Sequence, residues 1–224
     1  MFSIKDSLRV LINKRYRISF SKSGEDIQLF KLLGKSSGMY LDIGCFEPVS
    51  FSNTYYFYLR GWAGIVVDPN PQLVDQFKKI RPNDIFVNKG ISQSPGVLKY
   101  YMLPKNMSSM NTFDYKFLTE KNLLDKIEKE IEVPLISIEE LVDEYKLHDK
   151  IDFMDIDVEG MDFQVLLSNN WEKFRPKLVM IETDKSIEED MQGEVYALMK
   201  FHKYKLLAKM VQTDNGSGNL IFSR

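Results

Sequence analysis

The sequence predicts an α/β protein with a doubly wound, mostly parallel sheet and a C-terminal antiparallel hairpin. Apolar runs that end in an acidic residue recur along the chain, and segments of helical periodicity separate them. Two alternating runs near the C-terminus are joined by Thr213-Asp214-Asn215-Gly216, a sequence typical of a hairpin turn. The 224 residues suit a single domain, 1–224, with a helical N-terminal segment over 1–35.

The composition is that of a soluble globular protein, with 44% hydrophobic and 28% charged residues. Thirty basic and 32 acidic residues leave a net charge of −2, so the chain lacks the basic character typical of nucleic-acid binding. Cys45 is the only cysteine, which excludes an intrachain disulfide and a cysteine-cluster zinc site. No apolar run has the length of a signal-peptide core or a transmembrane segment, and we expect a cytoplasmic protein.

The N-terminal residues predict two helices. Residues 3–13 combine apolar positions at helical spacing with basic neighbours. That pattern suits packing on the protein's own domain, a membrane surface, or a second copy in a homodimer. Residues 21–33 predict a helix with Ser23 as its N-cap and Glu25 and Asp26 in its first turn. Since this helix precedes the first central strand, either acid could instead face a ligand pocket.

Five apolar runs predict the buried strands of the sheet, at residues 39–44, 64–68, 85–88, 151–157 and 178–182. Four of these strands end in carboxylates, which are Asp42, Asp68, Asp155 with Asp157, and Glu182. Ligands of open α/β sheets bind beyond the carboxyl ends of the strands. Each acid alone is explained as a helix cap, but the four strand ends together predict a functional rim.

Helices are predicted between these strands, over 54–59, 137–147 and 194–201. Ser52 or Asn53 is the expected N-cap of the first of them. Its aromatic residues, 55–58, point in nearly every direction around a helix, which favours core packing over a platform for stacking sugars.

A less regular region follows the third central strand. Residues 97–103 alternate as an added strand, and residues 132–136 form a short extended piece. Residues 104–114 are rich in Asn, Ser and Met, and they predict a mobile loop that could form a lid over a bound substrate. The C-terminal hairpin pairs residues 204–212 with 219–223.

Asp68 has the clearest mechanical role among the strand-end acids. A carboxylate that closes the second strand, about 20 residues past a glycine turn, is placed to accept the hydroxyls of a cofactor ribose. The turn at Gly44 continues as Cys45-Phe46-Glu47-Pro48 and lacks the glycines that let a backbone approach a pyrophosphate. This departure disfavours a nicotinamide dehydrogenase and suits a nucleoside without phosphates, such as S-adenosylmethionine.

Four stretches, which together span residues 21–183, share the motifs of one family. The first is Ser23-Gly24-Glu25-Asp26, and the second is Leu41-Asp42-Ile43-Gly44 with Ser52-Asn53-Thr54 and Gly61-Trp62 after it. The third is Val67-Asp68-Pro69-Asn70-Pro71, and the fourth is Asp155-Ile156-Asp157-Val158-Glu159-Gly160 with Ile181-Glu182. With these motifs the chain resembles the FkbM-type S-adenosylmethionine-dependent methyltransferases. The stretch from Asp155 to Gly160 is the most specific of them. Many relatives continue Asp-Ile-Gly with Ala and a second Gly, and this chain departs from them at Cys45, Phe46 and Pro48.

The resemblance implies a class I methyltransferase (Rossmann-like) fold with S-adenosylmethionine as the methyl donor. It implies a hydroxyl acceptor on a small or sugar-like molecule, as in glycans or secondary metabolites. The cofactor-binding residues it implies are Glu25, Asp42, Gly44, Asn53, Asp68, Pro69, Gly90, Ile91 and Asp155. Among these, Asp42 and Gly44 would lie near the methionine part, Asp68 at the ribose, and Gly90 with Ile91 beside the adenine.

Methyl transfer is an in-line displacement at a sulfonium methyl, and much of its acceleration can come from positioning. A hydroxyl acceptor also benefits from a general base. The catalytic candidates are carboxylates, with Asp155 or Asp157 favoured as the base, and the set is Asp155, Asp157, Glu159 and Glu182. His148 lies in a polar turn and is expected to be a solvated loop residue.

The same acids allow a metal-assisted mechanism. Asp155, Asp157 and Glu182 offer the oxygen ligands that Mg²⁺ or Mn²⁺ prefers, and such an ion would lower the pKa of an acceptor hydroxyl. Lys89 or Lys185 could neutralise the acids instead. Two further alternatives stay open from the sequence: methylation of nitrogen rather than oxygen, and a non-catalytic Rossmann-like binding module whose strand-end acids cap helices.

Overall fold

The computed structural model describes residues 7–8 and 17–224. The strands within these residues are β1 (Met39–Ile43), β2 (Ala63–Val67), β3 (Ile85–Val87), β4 (Gly90–Ile91), β5 (Gly96–Met102), β6 (Lys129–Ile136), β7 (Phe153–Ile156), β8 (Leu178–Thr183), β9 (Lys205–Val211) and β10 (Gly218–Ser223). The α-helices are α1 (Glu25–Leu33), α2 (Tyr55–Tyr58), α3 (Val74–Ile80), α4 (Tyr115–Glu120), α5 (Ile138–Tyr145), α6 (Asp162–Leu167), α7 (Ile187–Asp190) and α8 (Glu194–Phe201). Short 3₁₀ helices are formed by Pro71–Leu73, Lys105–Met110 and Leu124–Lys126.

Seven strands form the main sheet in the order β3-β2-β1-β7-β8-β10-β9. β1 pairs in parallel with β2 and β7, and β8 continues the parallel arrangement beyond β7. β10 is antiparallel to both β8 and β9, so the C-terminal hairpin is inserted at one end of a parallel sheet. The predicted class I methyltransferase fold is therefore confirmed.

The helix predicted over 3–13 lies outside the described residues except for residues 7–8, and so does the dimer contact proposed through it. Within the part of the chain that the structure describes, no helix combines the length and apolar character needed to cross a membrane.

The start of α1 differs from the prediction. Its N-cap is Gly24, in the left-handed conformation at φ 89°, and no side chain caps it, so the assignment to Ser23 was wrong. The hydroxyl of Ser21 accepts instead from the backbone N–H groups of Gly24 and Asp26, at 3.2 and 3.4 Å. The carboxylate of Asp26 accepts from the backbone N–H of Phe20 at 2.7 Å, so this acid holds the preceding loop against the helix.

The aromatic residues of α2 belong to the core, as their spacing predicted. Tyr55, Tyr56 and Phe57 are each 1% exposed or less. The Phe57 ring packs on Phe153 of β7 with a centroid distance of 4.6 Å. Rings of this size dominate the buried apolar area, and here they join the α2 side of the sheet to its central strand.

A small second sheet follows β3 in the chain, in the order β4-β6-β5. β6 is antiparallel to β5 and parallel to β4. The extended piece predicted over 132–136 is therefore the end of a longer strand, because its partner β5 continues the pairing back to residue 129. Much of the segment predicted as a mobile loop is the 3₁₀ helix Lys105–Met110.

Candidate active site

A cavity of about 400 Å³ lies at the carboxyl ends of β1, β2 and β7, where ligands of open α/β sheets bind. It brings together ten of the residues singled out from the sequence: Asp42, Gly44, Asn53, Asp68, Pro69, Gly90, Ile91, Asp155, Asp157 and Glu159. Glu25 and Glu182 do not line it. The crowding of acids at one rim follows from the parallel pairing of the strands that carry them.

Gly44 forms the turn at the end of β1. Its φ of 84° lies in the left-handed region, and its N–H donates to the carbonyl of Val67 at 2.9 Å. A Cβ at this position would overlap the backbone carbonyl of Asp157. The chains after β1 and β7 can approach this closely because the residue has no side chain.

Asp68 is the buried carboxylate at the end of β2, with 6% exposure. One of its oxygens accepts from the backbone N–H of Phe46 at 3.0 Å, and the other accepts from that of Asn70 at 2.8 Å. Each oxygen keeps a further lone pair toward the cavity that the residue lines. Burial raises the pKa of Asp68 to about 7, against the effect of the two N–H donors.

Asp42 lies at the end of β1 and is held through a hydroxyl. Thr54 donates a short hydrogen bond to its carboxylate, and the same hydroxyl oxygen accepts from the guanidinium of Arg81 at 2.9 Å. Burial raises the pKa of Asp42 to about 6, while the positive charge of Arg81 and the Thr54 hydrogen bond act in the opposite direction. Asp42 is thus linked to a buried cation by one bridging residue.

Arg81 is a buried residue that the sequence did not single out. Its guanidinium contacts the carboxylate of Asp84 at 2.7 Å, and it donates to the Tyr40 hydroxyl at 2.9 Å and to the Ser52 hydroxyl at 3.2 Å. The side chains of Arg81 and Asp84 are both 0% exposed. In the sequence Arg81 follows Lys78 and Lys79 at the end of a helix, which suggests an exposed cation, so no local pattern revealed this network.

The N-cap of α2 is Thr54, so the prediction that Ser52 or Asn53 is its N-cap was wrong. The hydroxyl of Ser52 accepts from the backbone N–H of Tyr55 at 3.1 Å and so satisfies the start of α2. The side chain of Asn53 donates instead to one oxygen of Asp155 at 2.9 Å. The other oxygen of Asp155 has no hydrogen-bond partner within the described chain. Burial, together with the negative charge of Asp42, raises the pKa of Asp155 well above its ordinary value.

Asp157, Glu159 and Glu182 offer carboxylate oxygens that all lie within 4.8 Å of one another. The ligand set predicted for a metal ion contained Asp155 in place of Glu159. The structure corrects it, because Asp155 points to Asn53 from within β7 while Glu159 comes from the loop beyond it.

The charges within this cluster are unequal. Burial and the negative charge of Asp157 raise the pKa of Glu159 to about 8. Burial and the same charge raise the pKa of Glu182 well above its ordinary value, and a hydrogen bond between Glu182 and Asp157 adds to the shift. The charge of Asp157 therefore favours the protonated forms of its two neighbours.

Lys22, which the sequence did not single out, interacts electrostatically with all three acids of this cluster. Burial lowers the pKa of Lys22, but the charges of Asp157, Glu182 and Glu159 outweigh that effect and raise it overall. Lys22 lines the cavity, as Lys89 does, but Lys89 pairs with Glu144 at 3.7 Å.

The far end of the cavity is formed by Gly90 and Ile91 together with the segment that follows β5. A Cβ at Gly90 would overlap the ring of Phe113. Phe113 in turn packs against Tyr100 with ring centroids 4.8 Å apart. Asn111 lies in the same wall. This apolar and aromatic end contrasts with the acidic end at Asp155 and Asp157.

Two predicted residues lie elsewhere. Glu25 is fully buried behind the cavity, where it accepts from the side chains of Gln212 at 2.7 Å and Asn219 at 3.3 Å. It thereby joins α1 to the C-terminal hairpin. His148 contacts Asp143 at 2.9 Å on an exposed surface, as expected for a loop residue.

Comparison with protein families finds one match: the family model of the methyltransferase FkbM domain matches residues 42–206. Comparison with curated protein sequences finds no match.

Among solved structures, a Burkholderia thailandensis 1,6-didemethyltoxoflavin-N1-methyltransferase with bound S-adenosylhomocysteine is similar at 10% identity and a TM-score of 0.47, over 99% of this chain and 89% of that one. Aeropyrum pernix fibrillarin with bound S-adenosylmethionine matches at 10% identity and a TM-score of 0.44, over 90% and 76%. A precorrin-6y C5,15-methyltransferase from Geobacter metallireducens matches at 11% identity and a TM-score of 0.43, over 89% and 86%. No residue role is carried over from these distant structures.

Proposed function

Given that the chain belongs to the methyltransferase FkbM domain family, we propose that it transfers a methyl group to a hydroxyl oxygen of a small or sugar-like acceptor. Family membership makes the chain an S-adenosylmethionine-dependent methyltransferase. The observation that carries the choice of oxygen is the cluster at the acidic end of the cavity, where carboxylate oxygens of Asp157, Glu159 and Glu182 lie within 4.8 Å of one another.

The cavity fits S-adenosylmethionine in size and in the order of its polar groups. Asp68, with a free lone pair on each oxygen, is placed to accept from two adjacent ribose hydroxyls. Asp42, Gly44 and Asn53 form the part of the cavity assigned to the methionine portion. Gly90 lines the part assigned to the adenine, where the absence of a Cβ leaves the Phe113 ring in contact with the backbone. When bound, the cofactor supplies the methyl group from its sulfonium.

Asp157 is assigned as the general base. A hydroxyl is a poor nucleophile until it loses its proton, so an acceptor oxygen needs a carboxylate within hydrogen-bond reach as it reacts. Asp157 lines the cavity and lies beside Glu159 and Glu182, whose pKa values its charge helps to raise. The Asp157 carboxylate would take the proton of the acceptor hydroxyl as the acceptor oxygen bonds to the methyl group and the bond from that methyl group to the sulfonium sulfur breaks, which leaves a neutral thioether. The positive charge of Lys22 offsets the negative charge of the cluster.

The mouth of the cavity supports a ring-shaped acceptor. Phe51 lines it with 59% exposure, and its φ of 58° lies in the left-handed region, which is unfavourable for a bulky residue. Backbone strain of this kind persists where the surrounding structure enforces it, and it is concentrated at ligand sites. Across the mouth stand Lys105, Asn106, Ser108 and Ser109. An acceptor with an apolar face and several hydroxyls would meet both walls.

A divalent cation is a second candidate for activating the acceptor. The carboxylates of Asp157, Glu159 and Glu182 lie close enough to act as hard oxygen ligands for Mg²⁺ or Mn²⁺. If turnover and its pH profile are unchanged after exhaustive chelation, the acids act without a metal. If activity is lost on chelation and restored by Mg²⁺ or Mn²⁺, the metal-assisted mechanism replaces the general base.

The decisive experiment compares acceptors of two kinds. The purified protein is first titrated with S-adenosylhomocysteine by calorimetry, and failure to bind would contradict the cofactor site. Turnover is then measured with methyl glycosides and diols, and separately with amines of similar size. Asp157→Asn, which is nearly isosteric, should bind S-adenosylhomocysteine like the wild type but lose hydroxyl methylation, whereas Asp149→Asn on the exposed surface serves as the control. Methylation of amines alone would refute the assignment to oxygen.

Assembly and location remain predictions from the sequence. These are a cytoplasmic location, one domain over 1–224, and a homodimer formed through the N-terminal helical segment. Size-exclusion chromatography of the full chain, compared with a chain lacking residues 1–16, tests the dimer.

A further inference from the structure

We propose that the side-chain amide of Asn111 recognises the adenine base by donating a hydrogen bond to one of its ring nitrogens. The inference rests on the proposed placement of the cofactor, with the adenine at the Gly90 end of the cavity. Asn111 lines that end and is 7% exposed, and its Nδ2 has no hydrogen-bond partner within the described residues.

The orientation of the amide is set by a backbone group. The N–H of Leu103 lies 2.7 Å from Oδ1 of Asn111. A backbone N–H can only donate, so the atom that it contacts must be the amide oxygen, and the unpartnered atom must be the NH₂ group. The Asn111 side chain lies close enough to the Tyr100 hydroxyl to lower the pKa of Tyr100, against the larger effect of burial. The contact does not have the geometry of an ordinary hydrogen bond, so Nδ2 of Asn111 stays without a partner within the described residues.

The segment that carries Asn111 is held on both sides, so the amide is fixed before any ligand arrives. Thr112 exchanges backbone hydrogen bonds with Tyr101, at 2.9 and 3.2 Å. The hydroxyl of Thr112 also donates to the carbonyl of Glu159 at 2.8 Å, which joins this segment to the loop after β7. The sequence predicted a mobile loop here, whereas these contacts describe a preorganised wall.

The chemistry of the orphan group points to a heteroaromatic base. A buried N–H donor without a partner is unfavourable, and a ligand that supplies an acceptor recovers the lost free energy. Adenine presents three ring acceptors, N1, N3 and N7, and its flat faces suit the neighbouring rings of Tyr100 and Phe113. Asn111 would then select for the base, while Asp68 holds the ribose.

The test removes one ring nitrogen at a time. S-adenosylhomocysteine and its 1-deaza, 3-deaza and 7-deaza analogues, each with one ring nitrogen replaced by C–H, are titrated into the wild-type protein by calorimetry. The wild type should bind one of the three analogues about 10- to 100-fold more weakly than S-adenosylhomocysteine, since one hydrogen bond to a buried group is lost. This measurement needs no variant and therefore does not depend on a mutant folding.

Asn111→Asp isolates the donor, because a carboxylate keeps an oxygen for the Leu103 N–H but offers no N–H of its own. In this variant the preference for S-adenosylhomocysteine over the weak analogue should disappear or reverse. Asn122→Asp, the same change on an exposed residue outside the cavity, should keep the wild-type preference.

Equal binding of all four ligands by the wild type would overturn the role of Asn111, and so would an unchanged preference in Asn111→Asp. If the wild type binds none of the four, the cofactor site itself is wrong, and the role of Asn111 falls with it.

Discussion

Replacing Asp68 with Asn should make the ligand-free protein more stable, relative to the wild type, as the pH rises. The pKa of Asp68 is raised from 3.8 to about 7, chiefly by burial. Its folded-state pKa therefore lies above its unfolded-state value, so protonation favours the folded state. The stability gained in this way is present at low pH and is lost as the pH rises between those two values.

The size of the effect follows from the two pKa values. By proton linkage, the raised pKa of Asp68 lowers the free energy of unfolding by about 2 kcal/mol at pH 5.5 and by about 4 kcal/mol at pH 8, relative to a protein in which Asp68 stays protonated. Asn cannot ionise, so the variant escapes both costs. In exchange, its NH₂ group faces the backbone N–H of Phe46 or Asn70, which costs about 1–3 kcal/mol at every pH. Relative to the wild type, Asp68→Asn should gain about 2 kcal/mol in unfolding free energy between pH 5.5 and pH 8.

Urea denaturation at the two pH values, without cofactor, measures this difference. Asp149→Asn on the exposed surface is the control and should show no such change between the two pH values. If the stability difference between wild type and Asp68→Asn is the same at both pH values, Asp68 does not titrate between them and the burial argument fails. The same variant should bind S-adenosylhomocysteine about 10- to 100-fold more weakly at pH 8, because charge-assisted hydrogen bonds to the ribose are lost.

Three further substitutions separate the roles of the site residues. Thr54→Val removes the hydroxyl that links Arg81 to Asp42, so the pKa of Asp42 should rise above about 6. When S-adenosylhomocysteine binding is titrated toward lower pH, the variant should therefore lose binding at a higher pH than the wild type. Asp157→Asn should lower turnover by about 10²- to 10⁴-fold in steady-state assays, with cofactor affinity retained; an equal loss of affinity would assign it to binding. Arg81→Met leaves the buried carboxylate of Asp84 without its cation and should reduce the unfolding free energy by about 3–5 kcal/mol in urea, and a neutral effect would refute the importance of this pair.

The parts of the site that the sequence revealed are those that the sheet itself positions. Buried strands are apparent from their apolar runs, and parallel pairing brings their carboxyl ends to one edge. Asp42, Asp68 and Asp155 could therefore be placed near one another before their contacts were known. The hydrogen-bond partners of these acids could not be predicted, because Thr54 and the backbone N–H of Phe46 are brought to them by the conformation of the loop after β1.

The residues that the sequence concealed depend on contacts between distant segments. Arg81 looks like an exposed helix-terminal cation, and only the folded chain shows that it is buried against Asp84. Asn111 lies in a polar stretch typical of loops. Its orientation is set by a hydrogen bond from the backbone N–H of Leu103, next to the isolated β-bridge between Tyr101 and Thr112. Lys22 lies two residues before Gly24, the N-cap of α1, and carries no motif. Such residues have no periodic signal, since each is set by tertiary structure rather than by local spacing.

The buried acids of the cavity would also make the affinity for the cofactor depend on the charge that the cofactor carries. Asp42 and Asp155 occupy paired positions on β1 and β7, and the negative charge of Asp42 raises the pKa of Asp155, since two adjacent negative charges in a buried site repel. Arg81 offsets that repulsion only on the side of Asp42. A sulfonium cation on the open side would favour the ionised form of both acids, whereas the neutral thioether of the product would not. In the proposed placement of the cofactor, the same electrostatics would favour the charged methyl donor over the neutral thioether product.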